Sequence, residues 1–308
     1  MLEENHYKEM SLLDFQDKFF SEEPCLEYLV KTRWPSGVKC SSCGSDKLDF
    51  IASRRLFECR KCHKQVYVTA GTIFHKSKTA LRKWFWMIFL LATSKKGISM
   101  LYLQKQLGIG SYRTAWLMAH KIRKAMSERN ALYALNGTIE IDEILIGGVQ
   151  TFEDKRNFGY NKTPFLTAVQ EDNNGFPAFL SFEELESICN KHIISAARKT
   201  RKNANTIKSD GRSAYLKLPE FGYKHERLVA MDDPEKAHKH LKWVNIIVSN
   251  LKRYLLSTHH GVFPKYRSAF LTEFAYRFNR RHWPHQAFDR LLWACLQSPP
   301  APLPVVRA

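Results

Sequence analysis

Hydrophobic positions along this chain change period from segment to segment. Residues 8 to 30 carry Leu12, Leu13, Phe15, Phe19 and Phe20, then Cys25, Leu26 and Leu29, a spacing that predicts two short helices. Between 79 and 126 the reading is again helical, with Leu81, Trp84, Phe85, Ile88 and Leu91 on one apolar stripe. The run from Ile98 reaches a glycine-containing turn at Gly108 and Gly110, and Ser111 then reads as the N-cap of a helix beginning at Tyr112. From Gly137 onward a period of two takes over. Strands are predicted at 138–146, 165–170 and 178–182, the last two joined by the turn Asp172-Asn173-Asn174-Gly175. A weakly helical stretch over 186–200 precedes a strand ending at Asp210 and another over Arg227 to Ala230. A helix follows whose buried stripe is Leu241, Val244, Val248, Leu251 and Leu255. Residues 149–164, with Lys155, Arg156 and Lys162 among glycines and asparagines, read as a basic mobile loop. The prolines after Ser298 read as a disordered end.

Between the helical segments cysteine sets the pattern. Cys40-Ser41-Ser42-Cys43 and Cys59-Arg60-Lys61-Cys62 stand 15 residues apart, with Leu56, Phe57 and Val66-Tyr67-Val68 available for a hairpin. Tetrahedral Zn²⁺ takes four thiolates, and each CxxC turn delivers two from one tight loop, so a segment with little core of its own can be held by metal. A redox pair needs only one such motif. His63 follows Cys62 and reads as a surface residue, since four thiolates already complete the site. Seven cysteines is an odd number, which argues against a secreted disulfide framework; Cys25, Cys189 and Cys295 read as reduced packing residues.

The order of elements then predicts a multidomain α+β protein: a helical N-terminal segment (1–33), a zinc ribbon (34–75) and a helix-turn-helix region (76–130). An RNase H-like α/β mixed-sheet catalytic domain (131–290) and a Pro-rich disordered tail (291–308) complete it. Charge narrows the partner. The 48 Lys and Arg against 30 Asp and Glu leave +18, which favours a polyanion, and double-stranded DNA is the expected one. In the helix-turn-helix reading Tyr112, Arg113 and Thr114 meet the major groove; an ordinary helical hairpin with a basic face is the competing reading. No stretch reaches the ~20 apolar residues of a spanning helix. The first residues show no basic and apolar export signal, so the expected location is the cytoplasm, at the nucleoid.

Asp142 lies in Ile139-Glu140-Ile141-Asp142-Glu143-Ile144, a strand with acidic residues where apolar ones are usual. In an RNase H-like sheet the first and fourth strands are neighbours, so Asp142 and Asp210 converge across 67 intervening residues. Two Mg²⁺ or Mn²⁺ ions need such carboxylates, one ion activating a nucleophile and the other stabilising a leaving oxygen. Asn245 follows Asp210 after a gap of 34 residues and shares a helix edge with Lys252, so Asn245 is the expected third ligand and Lys252 the expected phosphate contact. Asn250 is a rival for the third place.

These residues together resemble an insertion-sequence transposase of the RNase H-like DDE superfamily, in the ISXO-like group with an amino-terminal zinc ribbon. The resemblance is carried by both CxxC pairs, Ile139 to Glu143 with Gly147-Gly148, Ser209-Asp210-Gly211 with Tyr215, Asn245 with Lys252-Arg253, Thr258-His259-His260-Gly261-Val262, and Glu273 through Arg281. It implies cleavage at terminal inverted repeats and strand transfer into target DNA, with Asp142, Asp210 and the third residue as metal ligands, and a homo-oligomer on DNA. Asn245 stands where the superfamily usually has Glu, which leaves open an inactive, DNA-binding copy. Glu273, Arg277, Arg280 and Arg281 are accessory or DNA-contacting candidates, while an exposed i,i+4 salt bridge also explains Glu273 with Arg277. Glu140 reads as flanking Asp142, and Glu143 as flanking it or assisting the metal. His238, His240, His259 and His260 are assigned nothing.

Overall fold

A computed structural model of the chain describes residues 9–147, 162–200, 203–229, 239–303 and 306. The expected basic loop lies outside the described residues except for 162–164, as do Gly148, His238 and most of the chain's last five residues. The chain divides into two compact units: residues 1–94, 100–125 and 283–307 form the first, and 95–99 with 126–282 form the second.

The first unit begins with the two expected helices, α1 (Leu12–Lys18) and α2 (Glu22–Arg33). Ser11 starts α1 with a capping box, its hydroxyl accepting from the N–H of Asp14 at 3.1 Å while the Asp14 carboxylate accepts from the N–H of Ser11 at 3.0 Å. A three-stranded antiparallel sheet follows, β1 (Leu48–Ile51), β2 (Leu56–Cys59) and β3 (Gln65–Tyr67). Next come α3 (Leu81–Thr93), α4 (Met100–Gln106) and α5 (Tyr112–Asn130). The periodic stripe of α3 is buried as expected, with Trp84, Phe85, Ile88 and Leu91 nearly sealed. Phe15 stacks on Phe89 at 4.2 Å and meets Phe288 edge-on at 5.0 Å. Such offset and edge contacts add stabilisation beyond area burial. Phe288 belongs to α9 (Ala287–Gln297), which buries Leu291, Leu292, Cys295 and Leu296 and whose Asp289 accepts a 2.6 Å hydrogen bond from Tyr28. The expected tail over 291–308 is corrected accordingly. Residues 291–297 are helix, and Ser298 and Ala301 beyond them are buried.

The second unit is built on a five-stranded mixed sheet in the order β6-β5-β4-β7-β8. Its strands are β4 (Asn136–Gly147), β5 (Lys162–Glu171), β6 (Pro177–Glu184), β7 (Asn203–Asp210) and β8 (Lys224–Leu228). β4, β5 and β6 pair antiparallel, whereas β7 and β8 run parallel to β4. The turn between β5 and β6 forms because the Asp172 carboxylate accepts from the N–H groups of Asn174 and Phe176 at 2.9 and 2.8 Å.

β4 is central, so both its faces are covered. Ile139 and Ile141 point into a core shared with Ile193, Ala196 and Ala197 of α6 (Asn190–Thr200) and with Ile207, Tyr215 and Leu218. Ile144 and Ile146, on the other face, pack with Leu251 and Tyr254 of α7 (Lys242–Tyr254) and Leu271 of α8 (Arg267–Phe278). The alternation of a strand therefore assigns Glu140 and Asp142 to the α7 side and Glu143 to the α6 side.

After α7 the chain makes a π-turn over Leu255–His259 and leaves the helix at His260 in the left-handed region, φ 48°, followed by Gly261 at φ 125°. The hydroxyl of Thr258 donates to the carbonyl of Lys96 at 2.7 Å, and the His259 ring packs against Phe270 at 4.4 Å. Thr258 to Gly261 thus form a helix-ending turn, which gives His259 and His260 a structural part.

Candidate metal centres

The cysteine site is assembled locally. In the first knuckle the N–H of Gly44 donates to the carbonyl of Cys40 at 2.9 Å, and that of Cys40 to Ser45 at 2.8 Å; the second repeats this with His63 to Cys59 at 2.9 Å and Cys59 to Lys64 at 3.0 Å. Both turns need a left-handed residue, supplied by Gly44 at φ 71° and by His63 at φ 56°. His63 therefore holds a turn position, with its side chain 78 % exposed. The four sulfurs lie within 4.8 Å of one another, with Cys40 to Cys62 at 3.5 Å and Cys43 to Cys59 at 3.6 Å. Tetrahedral Zn–S bonds of about 2.3 Å require sulfurs roughly 3.8 Å apart, so the donor set fits zinc. The N–H of Cys43, then that of Ser42, holds the Cys40 thiol down to about 6, readying it as a thiolate ligand.

The second centre is assembled by the sheet. The parallel pairing of β4 with β7 sets Glu140 opposite Lys208, and two residues further along each strand stand Asp142 and Asp210. Their carboxylates and that of Glu143 lie within 4.8 Å of one another. Burial, then the charges of Glu143 and Asp210, pushes the Asp142 carboxyl up to about 7. Three clustered acids repel, and Arg212 offsets them through a 2.5 Å ion pair to Glu143. The N–H of Arg212 also donates to Asp210 at 3.0 Å, and the buried hydroxyl of Tyr215 donates to Glu143. A divalent cation is what such a cluster of hard oxygens accommodates, and it would relieve the repulsion. Arg212 was not foreseen from sequence, and Tyr215 was noted there without a role; their signal is proximity to Asp210 on the same short segment.

Asn245 and Lys252 are both exposed on α7, as their shared edge requires. α7 runs in the direction of β4: Val244 sits at Glu140, and Leu251 and Tyr254 pack with Ile144 and Ile146. Glu140 itself stays outside the acidic cluster. It is buried, its carboxylate accepts from the N–H of Val244 at 2.8 Å, and desolvation pushes it up to about 7.

Other expected contacts turn inward. Glu273 and Arg277 do form an i,i+4 ion pair, at 3.5 Å, but it is buried and not exposed. Arg280 is buried as well, donating to the side chain of Asn130 at 2.9 Å and the carbonyl of Tyr276 at 3.1 Å. Arg281 donates to the carbonyls of Phe278 and Ala178 at 2.7 and 3.2 Å. Arg280 and Arg281 tie the end of α8 to Asn130 and to Ala178 of β6, a role the sequence pattern of charged residues concealed. Arg113 lies at the start of α5 on an exposed position. Lys191, Arg198, Lys199 and Lys217, with Phe221 stacked on Arg198 at 4.6 Å, line an open groove along α6. Among the described residues no helix is long and apolar enough to cross a membrane.

Comparison with known families gives two matches. Residues 134–279 match the ISXO2-like transposase domain, and residues 20–65 match the transposase zinc-ribbon domain. The chain is also 25 % identical over 279 residues to a Halobacterium salinarum protein described as an uncharacterized protein in transposable element ISH50, a match spanning 84 % of this chain and 91 % of that one.

Proposed function

Because the chain belongs to the ISXO2-like transposase family, we propose that it binds the terminal inverted repeats of an insertion sequence, cleaves there, and joins the ends to target DNA. The observation that carries this reading is the meeting of Asp142 and Asp210 on adjacent parallel strands, with Glu143 beside them. The strand order β6-β5-β4-β7-β8, with helices on both faces, supports an RNase H-like fold for the second unit. The helix pair α4 and α5 is the proposed helix-turn-helix, with Arg113 toward the major groove.

Two Mg²⁺ or Mn²⁺ ions, when bound, would activate the attacking oxygen and stabilise the leaving one. Asp142 and Asp210 would hold them, with Asn245 offering its amide oxygen as the third protein ligand. Tyr215 and Arg212 keep the Glu143 carboxylate aimed at the same place. Lys252, seven residues after Asn245, is the proposed phosphate contact, and the four cations of the α6 groove extend a surface complementary to DNA. Zinc in the four-cysteine site has a structural part only. On DNA we propose a homo-oligomer, since two ends must be joined; a single protomer on paired ends in a sizing experiment would count against it.

The test is strand transfer by the purified protein on duplexes copied from both flanks of its gene, with Mg²⁺ or Mn²⁺, beside Asp142→Ala and Asn245→Ala. Joined products lost in both variants are the expected result. Binding to the flanks without metal-dependent cleavage would instead identify a DNA-binding relic, the outcome that the amide at Asn245 keeps in view.

A further inference from the structure

α7 starts without a cap of its own. Its N-cap residue is Leu241, which offers no side-chain acceptor to the first N–H groups. Four such groups stand unpaired at any helix start, and Ser, Thr, Asp or Asn normally serves them. Here the acceptor comes from another element: Glu140 of β4, 1 % exposed, accepts from the N–H of Val244 at 2.8 Å. The residue just ahead of the helix makes a second attachment. Nε2 of His240 lies 3.1 Å from the carbonyl oxygen of Ser209 and 3.0 Å from that of Glu226. Both oxygens only accept, so Nε2 carries the proton and donates to both. One attachment is thus made to the strand of Asp142, and the other to the residue preceding Asp210 and to β8.

We infer that Glu140 is a positioning residue for the metal centre: it seats the first turn of α7 on β4 and so fixes where Asn245, in that turn, stands relative to the sheet, with His240 as the second fastening. The inference rests on the reading of Asn245 as the third ligand. In sequence Glu140 reads as flanking Asp142; in the fold its oxygen is spent on the helix. Partners that orient a ligand from behind typically matter by about 10–100-fold in metal affinity.

The experiment is a Mn²⁺ titration of the full-length, zinc-loaded protein, read by the electron paramagnetic resonance signal of free Mn²⁺. It compares wild type, Asn245→Ala, Glu140→Ala, Glu140→Gln and the double Glu140→Ala/Asn245→Ala. Asn245→Ala and Glu140→Ala should each weaken Mn²⁺ by about 10–100-fold. The double variant should bind as Asn245→Ala does, because the two act through one contact. Glu140→Gln should stay within about twofold of wild type, since its amide oxygen accepts the same N–H. Strand transfer should follow the same order with DNA affinity unchanged. Loss in Glu140→Gln as large as in Asp142→Ala would make Glu140 a ligand and overturn the inference, and so would losses that multiply in the double variant. Wild-type affinity in Glu140→Ala while Asn245→Ala is weakened would overturn the seating alone; no effect of Asn245→Ala would overturn the third-ligand reading and the inference with it. Should Glu140→Ala lose its cooperative melting, His240→Ala supplies the same comparison against Asn245→Ala, with wild-type affinity in His240→Ala counting against the seating.

Discussion

The two metal centres are built in opposite ways. The cysteine site draws its four donors from two tight turns, each closed by its own backbone hydrogen bonds and a left-handed residue. The acidic site draws its donors from two strands, β4 and β7, and no local turn brings Asp142 to Asp210. In the first, the donor set fits a metal that would supplement the small core of the ribbon; in the second, a complete core holds like charges together against their repulsion. One centre therefore supports the fold and the other is supported by it.

Removing a donor should separate the two most sharply. Asp142→Asn is expected to lower strand transfer by ~10³-fold or more while leaving the fold intact. In metal-free protein it should even raise stability, by about 1 kcal/mol, because a buried carboxylate among like charges is replaced by a neutral amide. A falling melting temperature in that variant would break the contrast. Cys59→Ser should do the reverse: one equivalent of zinc is lost by elemental analysis, and the amide resonances of β1 to β3 collapse to random-coil positions. Retention of zinc and of those resonances would remove the structural reading of the ribbon.

A subtler variant probes how the sheet-built site is braced. Tyr215→Phe deletes the hydroxyl that donates to Glu143 and should reduce strand transfer by roughly tenfold, with Mn²⁺ affinity falling in parallel. Unchanged activity would show that Arg212 alone orients Glu143. The smallest effect is chemical and concerns the thiols. Cys189 should react first with a thiol reagent, since the N–H of His192 and the hydroxyl of Ser187 hold its pKa down. The four ribbon cysteines should follow only after chelation. Burial pushes Cys25 up to about 12 and raises Cys295 further, so both should react at rates on the order of 10³ below a free thiol until the protein unfolds. Rapid labelling of either by mass spectrometry would contradict their packing.

The difference between the centres also governs what could be read in advance. Cysteine spacing is a local signal, so the ribbon was legible down to its ligands, and the place of His63 outside them follows from its turn. The sheet was legible because strand periodicity and the order of elements both survive in sequence, and Asp142 and Asp210 fell where that order predicts. Tertiary use of charge was not legible. Glu273 and Arg277 read as an exposed salt bridge and Arg280 as a DNA contact, yet packing and ion pairing bury them. Glu140 reads only as a neighbour of Asp142, because a one-dimensional pattern cannot say that an acid serves a helix residue 104 positions later. The last helix was hidden by its neighbours: the prolines after Ser298 drew the reading toward disorder, although Phe288, Leu291, Leu292 and Cys295 already carried helical spacing.

The Leu241 start of α7 also bears on the order in which this protein folds. A helix that borrows its first acceptor from a central strand gains little from its own ends in isolation, so its opening turn becomes stable only when β4 stands between its neighbours. Sheet formation and the seating of α7 then belong to one cooperative event.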